Sequence, residues 1–168
     1  MEYFTLSNGL EVLFEKQKNT KVCSIYLGIK TGSVNEPEEY AGISHFLEHL
    51  LFKGKATATK IEGCGGYLNA YTSLDETVYY LTIPSENFKT GLIEIKNLVF
   101  NPSFSEEEVE LEKNIILEEL KGGRDNPFKL LYEKIFQYTF QNLGYRRPVI
   151  GLKKSLENLN YHKILDYY

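Results

Sequence analysis

The sequence predicts an α+β fold in which helices pack on one face of a mainly antiparallel sheet. Short stretches rich in β-branched and aromatic residues, separated by glycine-containing turns, are concentrated in the first half of the chain. Longer segments with capping residues and helical periodicity follow in the second half. Strands followed by several long helices are typical of this fold class.

The predicted strands begin with a hairpin. Residues 2–6 and 10–16 flank Asn8-Gly9, which is a strong signal for a two-residue hairpin turn. Further strands are predicted over Val22 to Ile29, over residues 67–72 and over residues 77–83, where β-branched and aromatic residues dominate.

Two helices are predicted between these strands. The acidic segment that starts at Pro37 indicates the first turn of a helix that runs to about Lys53 and ends at Gly54. A short helix is possible over residues 57–63, before the glycine pair Gly65-Gly66.

Capping residues mark the helices of the second half. Ser85 is expected to cap a helix over residues 86–99. Ser105 and Glu108 form an S-x-x-E capping box, which predicts a helix to about Lys121. Asn126-Pro127 predicts the start of another helix, and Asn160 the cap of a last one.

Length and composition limit the class of protein. The 168 residues suit one domain, and 19 basic against 23 acidic residues give a net charge of −4, which argues against nucleic acid as the main partner. No apolar run approaches the roughly 18 residues of a membrane span, so no membrane partner is expected. No secretory signal is visible and only two cysteines occur, so a cytoplasmic location is expected.

The residues that carry chemical information are His45, Glu48 and His49. On a helix, His45 and His49 lie one turn apart and Glu48 joins the same face, while the rest of the helix is apolar. Burying these groups without partners would cost several kcal/mol. A metal ion removes that cost, since two histidines one turn apart can share a Zn²⁺. The alternative is that this H-x-x-E-H is a chance pattern.

The acidic segment from Ser105 to Asp125 offers a third ligand. It holds eight acidic and three basic residues. Successive residues of a helix are rotated by 100°, which places Glu112 and Glu119 in one apolar stripe with Val109, Ile115 and Ile116. The same rotation places Glu110 and Glu118 on the polar side. One carboxylate could bind the metal while the other holds a ligand by a hydrogen bond. The alternative is a solvated acidic helix.

These residues resemble the M16 family of zinc metallopeptidases, the inverzincins, and within it the processing-peptidase branch. The H-x-x-E-H motif of the family matches His45, Glu48 and His49. Other matches run in order along nearly the whole chain: Leu6 to Leu10, Gly32 to Pro37, Phe52 to Gly54, Gly65 to Thr72, Glu112 to Glu119, Asp125 to Pro127 and Arg147 to Gly151.

The resemblance implies the roles of the site residues. It makes His45, His49 and Glu119 the zinc ligands, Glu48 the catalytic base and Glu112 the carboxylate that supports a ligand. It also implies that the strand around Asn69-Ala70 borders the cleft and pairs with an extended peptide or unfolded polypeptide substrate. The cofactor implied is Zn²⁺.

Two departures from the family pattern matter. His49 and Glu119 are 70 positions apart in the sequence, slightly fewer than is usual in the family. Family members also continue beyond the position of Tyr168 and pair with a second M16-type half or subunit, so residues 1–168 are expected to be a C-terminally truncated, incomplete N-terminal metal-binding domain.

The function implied is zinc-dependent endopeptidase activity that needs a second half. Two alternatives stay open. One is a zinc-binding but inactive fragment, and the other is a non-catalytic scaffold subunit of the same family.

Overall fold

The computed structural model describes residues 1–52, 55–123, 126–141 and 144–168. It begins with a hairpin of β1 (Glu2–Thr5) and β2 (Glu11–Phe14), which pair antiparallel. Gly9 in the turn has φ of 87°, and the Leu10 amide donates to Asn8 Oδ1 at 3.2 Å. The predicted hairpin is confirmed, with shorter strands than the sequence indicated.

A three-stranded antiparallel sheet forms the centre of the fold. Its strands are β3 (Val22–Ile29), β4 (Tyr67–Thr72) and β5 (Thr77–Pro84), in the order β3-β5-β4. Ile29 and Thr72 both lie opposite Thr77, which sets the register of the two ladders. All three strands lie where the sequence predicts them, and β4 forms one edge of this sheet.

Seven α-helices complete the described part of the chain. They are α1 (Ile43–Phe52), α2 (Lys55–Gly63), α3 (Phe88–Phe100), α4 (Glu106–Gly122), α5 (Pro127–Thr139), α6 (Lys153–Asn158) and α7 (Tyr161–Tyr167). None of them combines the length and apolar character of a membrane-spanning helix, within the residues described.

The core lies between the sheet and the helices α1 to α4. Phe46 and Leu50 of α1, Leu81 of β5 and Ile116 of α4 are at most 1% exposed. Gly91 lets α3 approach the sheet closely, because a Cβ there would lie 3.1 Å from Leu81. The opposite face of the sheet carries exposed tyrosines, so the prediction of helices on one face is confirmed.

Two predicted helix starts are wrong. The acidic segment after Pro37 forms only a short 3₁₀ turn, Glu38–Tyr40, and α1 begins at Ile43 after Gly42, whose φ of 99° interrupts the helix. The predicted end at Gly54 lies outside the described residues.

The second wrong start is at Ser85. Its amide donates to the carbonyl of Lys21 at 2.8 Å, so the backbone is still tied to the sheet there. Ser85 lies in a 3₁₀ turn, Ser85–Asn87, and α3 begins at Phe88.

The other caps are confirmed. Ser105 Oγ accepts from the Glu108 amide at 3.2 Å, and the Glu108 carboxylate accepts from the Ser105 amide at 2.8 Å. Asn126 and Asn160 accept backbone amides at the starts of α5 and α7. The capping box fixes where α4 begins, and α4 carries the two predicted site carboxylates.

Candidate metal centre

Helix α1 brings the two histidines of the motif together. The Nε2 atoms of His45 and His49 are 3.2 Å apart, and the two rings meet edge to face. The apolar side of α1 is buried against the core, with Ile43 and Phe46 fully covered. This packing fixes the rotation of the helix, so both imidazoles project towards α4.

Helix α4 supplies a third donor. Oε2 of Glu119 lies 3.9 Å from Nε2 of His45 and 3.7 Å from Nε2 of His49. One donor atom from each of these three residues falls within 4.8 Å of the other two. Tetrahedral zinc with bonds of about 2.0–2.1 Å separates its ligand atoms by about 3.4 Å. The chemistry and spacing of the donors therefore fit a zinc ion.

Glu112 contacts His49 from the other side of the ring. Its Oε1 lies 2.9 Å from Nδ1 of His49, and its side chain is only 5% exposed. A carboxylate at this distance accepts a hydrogen bond from Nδ1–H of His49, which leaves Nε2 unprotonated with its lone pair towards His45 and Glu119. The structure therefore brings both carboxylates of the predicted stripe to the histidines.

The stripe itself differs from the prediction at two positions. Val109 and Ile116 are fully buried, but Ile115 is 49% exposed and the side chain of Glu119 is 47% exposed. Ile115 lies about 100° around the helix from Ile116, beyond the edge of the buried face. Glu110 and Glu118 lie on the exposed side, as predicted, where they pair with lysines one turn further on.

Electrostatics keep His45 neutral in this arrangement. Burial lowers the pKa of His45 to about 4, and the nearby charges of His49 and Lys129 act in the same direction. A neutral imidazole offers a lone pair to a metal at neutral pH. The environment of His45 therefore suits a ligand.

Glu48 lies beside the donors and is oriented by β4. The hydroxyl of Thr72, the last residue of β4, donates to Oε2 of Glu48 at 2.5 Å. Burial raises the pKa of Glu48, although the hydrogen bond from Thr72 opposes this change. The role of Thr72 was not predicted from the sequence. The nearest sequence signal was its place at the end of the strand motif.

A cleft of about 640 Å³ opens over these residues. His45, Glu48 and Glu119 line it together with residues of the edge strand β4, of α5 and of the segments 73–75 and 145–150. Ala70 lines the cleft, whereas the side chain of Asn69 accepts from the Ala70 amide at 2.9 Å. The Ala70 amide therefore points away from β5, towards the open edge of the sheet.

A buried carboxylate anchors the start of α1. Glu36 is 4% exposed and accepts from the amides of Gly42 and Ser44 at 2.7 and 2.8 Å. The guanidinium of Arg147 donates to the carbonyls of Ser33 and Glu36. Burial raises the pKa of Glu36, opposed by the two amide hydrogen bonds. Sequence reasoning assigned no role to this pair, which positions the helix that carries the histidines.

Comparison with known proteins gives consistent matches. The family described as insulinase (peptidase family M16) matches residues 11–153. A protein named uncharacterized zinc protease from Rickettsia bellii is 37% identical over 168 residues, which cover 96% of this chain and 41% of that protein. The mitochondrial-processing peptidase subunit beta of Mus musculus is 31% identical, covering 96% of this chain and 34% of that subunit.

A solved structure agrees with these matches. The crystal structure of a protease from Helicobacter pylori aligns with a TM-score of 0.92 and 29% identity, covering 99% of this chain and 42% of that one. The chain thus spans less than half the length of each of these proteins. Because the family match extends over most of its residues, the chain belongs to the insulinase family, peptidase family M16.

Proposed function

We propose that this chain is the metal-bearing part of a zinc-dependent endopeptidase. His45, His49 and Glu119 bind the ion, and Glu112 holds His49 in the tautomer that ligation needs. The observation that carries this proposal is the convergence of three donor atoms from α1 and α4 at separations of 3.2, 3.7 and 3.9 Å. The similarity to a Rickettsia bellii protein named as a zinc protease supports the choice of metal.

Glu48 acts as the general base. A zinc ion, when bound, lowers the pKa of a coordinated water to about 7 and polarises the scissile carbonyl. The Glu48 carboxylate would accept a proton from the attacking water and return it to the leaving amine. The hydrogen bond from Thr72 fixes the direction of the carboxylate during both transfers.

The substrate is an extended peptide or an unfolded polypeptide. No strand in the described part of the chain pairs with the outer edge of β4. Ala70 on that edge lines the cleft, and a substrate strand would replace the side chain of Asn69 as the acceptor of its amide. Asn69 and Ala70 are therefore the residues that bind substrate backbone. Main-chain pairing explains how one cleft accepts many sequences, because it does not depend on side chains.

Full activity needs a second M16-type half or subunit. The chain covers 41% of its Rickettsia relative, so much of that protein has no counterpart here. A second half would enclose a substrate that lies in the cleft.

Zinc content tests the ligand assignment. The purified full chain is expected to hold one zinc ion, while His45→Ala and Glu119→Ala are expected to lose most of it. Glu118→Gln is the matched control, because Glu118 is the exposed neighbour of Glu119 on the same helix. Equal zinc content in all four proteins would overturn the proposal.

A second experiment tests the base. Glu48→Gln is expected to keep the zinc and to abolish cleavage of an unstructured peptide, because the amide cannot accept the proton. Cleavage is measured with the chain alone and after addition of a purified M16-type partner. Turnover by Glu48→Gln would show that another group is the base. Robust cleavage by the wild-type chain alone would contradict the need for a second half.

A further inference from the structure

A hydrogen bond between two distant segments joins opposite walls of the cleft. The hydroxyl of Tyr145 donates to Oδ1 of Asp75, a residue 70 positions earlier in the sequence. Asp75 lies in the turn between β4 and β5, and Tyr145 lies in the 3₁₀ turn Gly144–Arg146. Both residues line the cleft that contains His45 and Glu48. We call this pair the cleft bridge.

The turn that carries Asp75 is held against the segment 32–36. The amide of Val34 donates to the carbonyl of Leu74 at 2.9 Å. Gly32 makes this approach possible, because a Cβ there would lie 2.6 Å from the Leu74 carbonyl oxygen. The backbone next to Asp75 is therefore fixed by contacts outside its own hairpin.

The residues next to Tyr145 contact the same segment, 32–36. A Cβ on Gly144 would lie 2.8 Å from Cα of Val34, so the two backbones are in direct contact. The guanidinium of Arg147 donates to two carbonyls of this segment, at 2.6 and 3.2 Å. One segment therefore positions both partners of the cleft bridge.

The side chain of Tyr145 is also oriented by its surroundings. Its ring packs against the ring of Phe140, with the centroids 5.2 Å apart. The hydrogen bond to Asp75 raises the pKa of Tyr145, so the hydroxyl keeps its proton and remains a donor at neutral pH. The cleft bridge is therefore formed under the conditions of an ordinary assay.

The cleft bridge lies beyond the end of β4. The ladder between β4 and β5 ends at the pair Thr72–Thr77, and the amide of Ser73 then donates to the carbonyl of Glu76 at 2.8 Å. A turn over residues 73–76 projects by about two residues, or about 7 Å, past the end of the ladder. Because Glu48 contacts Thr72, a peptide cut beside Glu48 would reach the bridge about two residues past the cleaved bond.

We propose that the cleft bridge closes one end of the cleft and so sets how far a peptide substrate extends past the cleaved bond. This inference rests on the proposed function, which it deepens by making the distance from one end of the substrate a determinant of cleavage. The bridge can open, because it is a single hydrogen bond at the protein surface. A substrate that ends before the bridge binds without opening it, whereas a longer one has to break it. Asp75 and Tyr145 are therefore specificity-determining residues.

Peptides labelled at one end test the proposal. An eight-residue unstructured peptide with blocked termini is prepared in two forms, with fluorescein on the N-terminal or on the C-terminal residue. Each form is titrated by fluorescence anisotropy with the full chain carrying Glu48→Gln, so that the peptide stays intact. The label is too large to pass the closed bridge. We therefore expect one form to bind about tenfold more weakly than the other, which is the penalty for breaking a hydrogen bond to a charged acceptor.

Removal of either partner is expected to abolish this difference. In Asp75→Ala and in Tyr145→Phe, each made in the same background, the affinities of the two forms should agree within about twofold. Tyr138→Phe is the matched control, because it removes a tyrosine hydroxyl from an exposed residue that does not line the cleft. It should keep the full difference between the two forms.

The outcomes separate this inference from the proposed function. Equal affinity of the two forms for the parent chain overturns the role of the cleft bridge, as does the absence of binding. A difference that persists in either bridge variant, or that also disappears in Tyr138→Phe, overturns it too. Zinc content, measured on the same samples, tests the metal assignment separately. A difference that depends on the bridge in a chain without zinc would support the bridge and contradict the metal assignment.

Discussion

Replacement of Glu112 by glutamine tests whether this buried carboxylate tunes the candidate metal centre. The substitution keeps the shape of the side chain and leaves an oxygen that can accept from Nδ1 of His49, but it removes the negative charge. Glu112 is well suited to this test because it is nearly fully buried and lies 2.9 Å from that nitrogen.

The expected magnitude follows from the hydrogen bond. Hydrogen bonds to charged groups contribute about 1.5–3 kcal/mol and neutral ones about 0.5–1.5 kcal/mol, so the substitution costs roughly 1.4 kcal/mol. That cost corresponds to about tenfold weaker zinc binding. Loss of a partner that orients a metal-bound histidine costs about 10- to 100-fold in general, which includes this value.

The assay is a zinc titration of the full chain against a competing fluorescent chelator at pH 7. Glu110→Gln is the control, because Glu110 lies on the same helix, is exposed and forms an ion pair with Lys113 of α4. We expect its zinc affinity to match the wild type. Wild-type affinity in Glu112→Gln, or the same loss in both variants, would refute the reasoning.

Three further outcomes are expected in urea unfolding of the metal-free chain. Gly42→Ala should lower the free energy of unfolding by more than about 2 kcal/mol, because Gly42 has positive φ and a Cβ there would lie 2.7 Å from the Ile150 carbonyl oxygen. Gly63→Ala is the control and should lower it little, because a Cβ at Gly63 meets no atom within 4 Å. Ser105→Ala should cost about 1 kcal/mol through loss of the α4 cap. The pKa of His45 is lowered to about 4 in the folded chain, so the unfolded chain binds this proton first as the pH falls. The contribution of His45 to stability, measured as the difference between the wild-type chain and His45→Gln, should therefore fall by about 3 kcal/mol from pH 6.5 to 4.

Much of the fold is predictable because its signals are local. The hairpin turn at Asn8-Gly9 and the capping box at Ser105 depend on residues within a few positions of each other, and both are confirmed. The start of α1, in contrast, depends on residues that are further apart in the sequence. Glu36 caps it from six and eight positions away, across a glycine turn that the acidic residues after Pro37 do not reveal.

The candidate site also combines features that local sequence predicts with features that only the packing of separate elements determines. Helical periodicity correctly places Glu112 and Glu119 on the side of α4 that faces the histidines. It cannot tell which of them comes closest to a given ring, because that depends on the distance between α1 and α4. The contact of Thr72 with Glu48 depends on how β4 and α1 pack, so it could not be predicted from the sequence.

The polar groups of α1 are tolerated in a largely apolar helix because residues of neighbouring elements form hydrogen bonds with them. Glu36 satisfies amides at its start, Thr72 of β4 holds Glu48, and Glu112 of α4 holds His49. Each unsatisfied group would cost several kcal/mol in the interior. The compensating residues come from segments far apart in the sequence, so the unfolded chain cannot assemble the site. Assembly of the candidate metal ligands therefore depends on folding of the helical layer, so a substitution that unfolds this layer is expected to separate them.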